Sequence, residues 1–159
     1  MSAKRAAAQS LLPKSYSPSW TPSKPITESK STFVAHVAPV TSPSQAQQYV
    51  QSLIDSDKRI RNATHNITAW RIRGQDSTGP GFQHSDDDGE SASGARLLQL
   101  MQAMDLWDAM VVVTRWYGGV QLGSKRFRLI TEVARDAFVR AGMVESKEKE
   151  SKSKGKKKK

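Results

Sequence analysis

Between Asp86 and Gly123 the chain changes character three times, and that order restricts the fold more than any other stretch. A loop of acids (Asp86, Asp87, Asp88 and Glu90) runs into a segment with Leu97, Leu98, Met101 and Met104 on one stripe at helical spacing. Ala109–Tyr117 follows, and its three consecutive valines read as a strand buried on both faces. Arg115, Trp116 and Tyr117 close that strand, and Gly118 and Gly119 begin a turn. An amphipathic helix beside a buried strand calls for layers of helix and sheet.

The other elements fit the same plan. Phe33, Ala35 and Val37 share a parity, which predicts a first strand over Ser31–Val40, stopped by Pro39. Ser42 and Pro43 are an N-cap and a first-turn proline, and Ala46, Tyr49, Val50, Leu53 and Ile54 carry a helix to about Ser56. His65–Arg73 reads as a second strand, with Thr68, Trp70 and Ile72 on one face and Arg71 and Arg73 on the other. Gly74–Gly81 is a flexible connection, and Phe82–Asp86 a short third strand. Lys125–Ala141 is a last helix, and Gly142 sits where a C-terminal cap belongs. The order β-α-β-β-α-β-α predicts an α+β, two-layer domain: a four-stranded mixed sheet with helices mainly on one face.

Charge divides the chain into three parts. The sequence has a net charge of +10, but residues 1–30 contribute +4 and residues 145–159 contribute +5. Residues 1–30, rich in Pro, Ser and Lys, read as a disordered basic tail, with Trp20 as an oddity inside it. Their lack of acid before Glu28 also suits a transit peptide, but Pro13, Pro18, Pro22 and Pro25 confine any helix to about residues 2–12, which favours the plain tail. Residues 31–144 are expected to form the domain, and residues 145–159 a disordered Lys-rich tail. A nearly neutral domain weakens a nucleic-acid reading for its core, while the tail suits either solubility or a salt-sensitive contact with RNA or the ribosome. No cysteine is present, which excludes disulfides and thiolate-bound zinc. No run approaches the ~20 apolar residues of a membrane helix, so no membrane partner is expected.

Three motifs carry chemical interest. Gly118 and Gly123 have the spacing of a phosphate-binding loop, but Ser124 and Lys125 come in the wrong order. Inverting them turns each side chain by about 100°. The favoured reading is a tight turn in which Gly118, Gly119 and Gly123 permit positive φ and Ser124 caps the helix; a simple anion site beside Lys125 and Arg126 is one alternative, and a phosphate- or nucleotide-dependent enzyme built on this turn is the less favoured one. The acidic loop misses the calcium pattern, since its glycine, Gly89, comes too early. Its acids suit the start of a helix, where the macrodipole favours negative charge, and a basic partner or a two-carboxylate magnesium site are the alternatives. His36, His65 and His84 have no spacing to a nucleophile, so no catalytic residue, resident metal or cofactor is assigned. For Arg115 two roles stay open: pairing with Asp87 or Glu90 to hold the turn, or an exposed hot spot for a partner with Arg71, Arg73, Trp116, Tyr117, Lys125 and Arg126.

These residues bear a family resemblance. Gly94, Leu97, Leu98 and Leu106, then Val112-Val113, Arg115-Trp116-Tyr117-Gly118-Gly119 and Leu122-Gly123, match the pattern of the Impact/YigZ family. Asp87-Asp88-Gly89-Glu90 resembles its acidic loop, Ala63-Thr64-His65-Asn66 its second-strand entry, and Phe33–Val37 its first strand. The resemblance covers about residues 26–142 and implies a fold like the second domain of ribosomal protein S5. It implies a non-enzymatic, cytoplasmic translation regulator that competes with a starvation-responsive kinase for its ribosome-associated activator. Glu90 is followed by Ser91 where many bacterial members have proline, and neither the RWD domain of eukaryotic members nor the ferredoxin-like domain of bacterial ones is expected here.

Overall fold

The structure, a computed structural model, describes residues 18–74 and 79–144. Among them are six strands and four helices: β1 (Thr21–Pro22), β2 (Ile26–Glu28), β3 (Ser31–Pro39), α1 (Pro43–Ser56), α2 (Lys58–Arg61), β4 (His65–Ile72), β5 (Phe82–Asp86), α3 (Ser93–Ala103), β6 (Ala109–Trp116) and α4 (Lys125–Arg140). The long elements fall where periodicity puts them. Ser42 accepts a hydrogen bond from the Gln45 amide at 3.2 Å and caps α1. The short α2 gives no periodic signal; the Asp57 carboxylate starts it by accepting from the Arg59 and Ile60 amides.

All pairings in the sheet are antiparallel, in the order β1-β3-β6-β4-β5, and β2 also pairs with β3. The expected four-stranded mixed sheet is therefore a six-stranded antiparallel one. The extra strands lie inside residues 1–30, so ordered chain begins ahead of the boundary expected at Ser31. Pro22 and Pro25 cannot donate to a ladder, and the Ser23 side chain bridges the gap. Its hydroxyl accepts from the Ala35 amide at 2.9 Å, while its own amide donates to the Ala35 carbonyl at 2.8 Å. The Lys24 amide then reaches the Asp136 carboxylate of α4 at 2.8 Å. Trp20 stands edge-on to His36 and Tyr49. The first 17 residues, the Lys-rich tail and residues 75–78 lie outside the described residues.

Helices cover both faces of the sheet, which corrects the expected one-sided arrangement. Phe33, Ala35, Val37, Ile67, Ala69, Val111 and Val113 pack with Leu97 and Met101 of α3 and with Ile130, Val133, Ala134, Ala137 and Phe138 of α4. On the opposite face, Ala38, Val40, Ile72, Met110 and Val112 pack with Ala46, Tyr49 and Leu53 of α1 and Ile60 of α2. Strand β6 is accordingly buried from Ala109 through Arg115, as its valine run requires.

Candidate functional site

The end of the sheet where β6 runs into α4 gathers most of the charged groups singled out above. His65 of β4 and Phe33 of β3 both lie opposite Arg115 of β6. The acidic loop closes over this end, and its aspartates are committed to backbone. Asp87 accepts from the Ala92 amide at 3.2 Å and the Gly94 amide at 2.7 Å, at the start of α3. Asp88 accepts from the Asn66 amide at 2.7 Å, and Asp86 from the Asp88 amide at 3.0 Å. A side chain at Gly94 would meet the Asp87 carboxylate at 2.9 Å. This is the helix-starting role expected of the loop. Among the described residues no group of three or more His, Asp or Glu is placed to hold a metal.

Glu90 points inward instead, 5% exposed. Arg115 Nη1 donates to its Oε2 at 2.6 Å, Arg126 Nε lies 2.9 Å from Oε1, and His65 Nε2 lies 3.6 Å from Oε2. Arg115 also donates to the Ser31 hydroxyl at 3.3 Å and lies 5.2 Å from the Phe33 ring and 5.4 Å from the Tyr117 ring. Of the two roles left open for Arg115, the geometry selects pairing with Glu90: at 4% exposure it offers a partner almost no surface. The His65 ring is held at Nδ1, 2.8 Å from the Asp88 carbonyl. A carbonyl only accepts, so Nδ1 carries the proton.

Above this ion cluster opens a cleft of about 390 Å³, lined also by Thr64, Tyr117, Gln121, Leu122 and Gly123. Gly119 and Gly123 have positive φ, as the turn reading expects. Gly118 does not; it is needed because a side chain there would overlap the Lys30 carbonyl. Ser124 has helical angles and makes no side-chain cap bond, so the expected cap at the start of α4 is absent.

The seven residues proposed for one partner surface lie in three places. Arg115, Tyr117 and Arg126 line the cleft, and Lys125 stands beside Arg126 as the first residue of α4. Trp116 points to the other face, where its Nε1 donates to the Arg59 carbonyl at 3.0 Å and Arg59 covers its ring. Arg71 lies opposite Ala109 in the β4–β6 register, six residues from His65, or about 20 Å. There Arg71 and Arg73 clasp Trp107, at 3.8 and 4.4 Å from its ring centroid. Burial lowers the Arg71 pKa, with Asp105 opposing and Arg73 adding to the shift. Sequence reasoning passed over Trp107, whose only signal was an aromatic residue just ahead of β6.

The pattern formed by these elements is that of a known family. The family model for the Impact N-terminal domain matches residues 29–138. The chain belongs to the Impact family. The Impact homolog of Saccharomyces cerevisiae is 47% identical over 134 residues, 84% of this chain and 51% of that protein. The bovine and human IMPACT proteins are 47% and 46% identical over 135 residues, 85% of this chain and 42% of theirs. The chain thus spans about half, or less, of the length of these relatives. Among solved structures, the two-domain translational regulator Yih1 is 48% identical with a TM-score of 0.55, covering 77% of this chain and 46% of Yih1. A hypothetical protein of known crystal structure, 24% identical, shares the fold with a TM-score of 0.61 over 77% of this chain and 58% of its own.

Proposed function

We propose that this Impact-family chain regulates translation by binding a protein partner and carries out no reaction of its own. The observation that carries this reading is the 47% identity to the yeast Impact homolog across 84% of the chain, together with the 48% identity to a translational regulator. The chemistry of the site supports it. Both oxygens of the Glu90 carboxylate are taken up by guanidiniums, Oε2 by Arg115 and Oε1 by Arg126, which leaves neither free to meet a substrate proton. The partner in this reading is the ribosome-associated activator of the starvation-responsive kinase, met in the cytoplasm. Occupying that activator restrains phosphorylation of initiation factor 2 under starvation. The same reading expects a likeness to the second domain of ribosomal protein S5.

With Arg115 buried, the contact surface moves to the other end of the sheet. Arg73 is exposed and Phe82 is 63% exposed. Arg73 lies over the Trp107 ring and Phe82 follows Gly81, which lies against that ring; Arg, Trp and exposed aromatics are hot-spot types. Tagged protein is expected to co-purify the activator and to lower initiation-factor phosphorylation when overproduced. Arg73→Glu combined with Phe82→Ser is expected to abolish both effects while leaving the urea midpoint unchanged. If the unaltered protein neither captures the activator nor changes phosphorylation, the reading is wrong.

A further inference from the structure

The cleft beside α4 is more positive than its own residues balance. Glu90 is its one carboxylate, and it faces two guanidiniums, Arg115 and Arg126. Asp87 and Asp88 are not part of its lining; their carboxylates point at backbone amides instead. Lys125, the residue before Arg126 at the start of α4, is exposed and has no ion pair among the described residues.

Hydrogen bonding is unbalanced in the same sense. Arg115 Nε is buried with no partner among the described residues, and Arg126 Nε, though 2.9 Å from Glu90, is not aligned to donate to it. Buried donors of charged groups are costly to leave unmade. The group that suits such a place is an anion with several acceptor oxygens. The cleft also opens at the first residue of the 16-residue helix α4, where the macrodipole adds to the preference.

We propose that this cleft binds a phosphate monoester, independently of the partner surface around Trp107. A phosphate monoester carries about −1.5 to −2 charge at neutral pH, which matches Arg126 and Lys125 together once Arg115 is assigned to Glu90. Guanidinium matches the geometry of phosphate oxygens, and Arg126 is the part-exposed guanidinium of the pair. Tyr117, 44% exposed, stands at the rim, and 390 Å³ leaves room for the group that bears the phosphate.

The test is an NMR titration of the full chain at constant ionic strength with inorganic phosphate, O-phosphoserine, adenosine 5′-monophosphate and acetate. Phosphate is expected to shift the Arg126 Nε and Tyr117 resonances. Arg126→Gln should weaken binding about tenfold. Lys125→Gln, at an exposed site where folding is not at risk, should weaken it about threefold. Arg128→Gln, on the same helix but paired with Glu28, should bind like the unaltered protein. Phosphoserine binding more tightly than phosphate identifies a protein-borne phosphate, and the adenosine monophosphate doing so identifies a nucleotide. Acetate shifting the same resonances equally well, or no shift at about 20 mM phosphate, overturns the proposal.

Discussion

Replacing Glu90 with glutamine removes one charge and almost no volume, so it isolates the ion cluster at the end of β6. The variant leaves the Arg115 guanidinium, 5% exposed, without its counter-charge. Breaking a buried pair from one side costs about 3–5 kcal/mol. The link to Arg126, whose side chain is 24% exposed, adds about 0–1 kcal/mol. A loss near 4 kcal/mol is a large share of the ~5–15 kcal/mol that holds a domain together. At about 3 °C per kcal/mol it lowers the melting temperature by roughly 10–15 °C. Urea unfolding followed by tryptophan fluorescence, fitted with a common slope, measures the change. Glu90→Leu with Arg115→Met is expected to recover most of the loss, because an apolar pair of similar size removes both buried charges. A Glu90→Gln variant within about 1 kcal/mol of the unaltered protein refutes the buried pair, as does a double variant that costs the sum of its singles. Arg115→Ala is for the same reason a poor probe of partner binding, since its failure to bind would report unfolding.

Two further outcomes rest on other parts of the fold. Burial lowers the His36 pKa from its usual 6.5, with Asp57 opposing in part. The unfolded chain therefore takes up the proton first: this contribution is complete above that value and is lost as pH falls below it. His36→Leu is expected to flatten the fall in urea midpoint between about pH 7.5 and pH 5; parallel curves refute the assignment. In the turn between β2 and β3, Ser29 and Lys30 both have positive φ, at 47° and 68°, the positions that Asn and Gly fill best. Ser29→Asn with Lys30→Gly is expected to raise stability by about 1 kcal/mol in the same unfolding assay, and a loss of stability counts against this turn geometry.

Local pattern and tertiary placement divide this protein cleanly. The spans of α1, β5, α3, β6 and α4 were legible because helix and strand periods, the Ser42 cap and the glycines after Tyr117 act within a few residues of one another. The fold class followed from their order. Strands β1 and β2 were hidden: the prolines around them argue against a ladder, and Ser23 reaching Ala35 bridges the gap between the two pairings. The valine run of β6 read as buried on both faces, yet the helices were expected mainly on one; that α1 and α2 cover the second follows from the path of the chain beyond β3, which periodicity does not fix. The ion cluster is a matter of register. Glu90 and Arg115 are 25 residues apart, and nothing in the sequence distinguished Glu90 from Asp87 as the partner until the loop had folded, with Asp87 capping α3 and Glu90 turned inward. In the same way Arg71 and Arg115, alike on paper, were separated by the length of β4. Periodicity is a property of neighbours in the chain, and so the sequence could declare it. Burial, charge pairing and shared surface depend on which distant segments meet, and only the assembled sheet decides that.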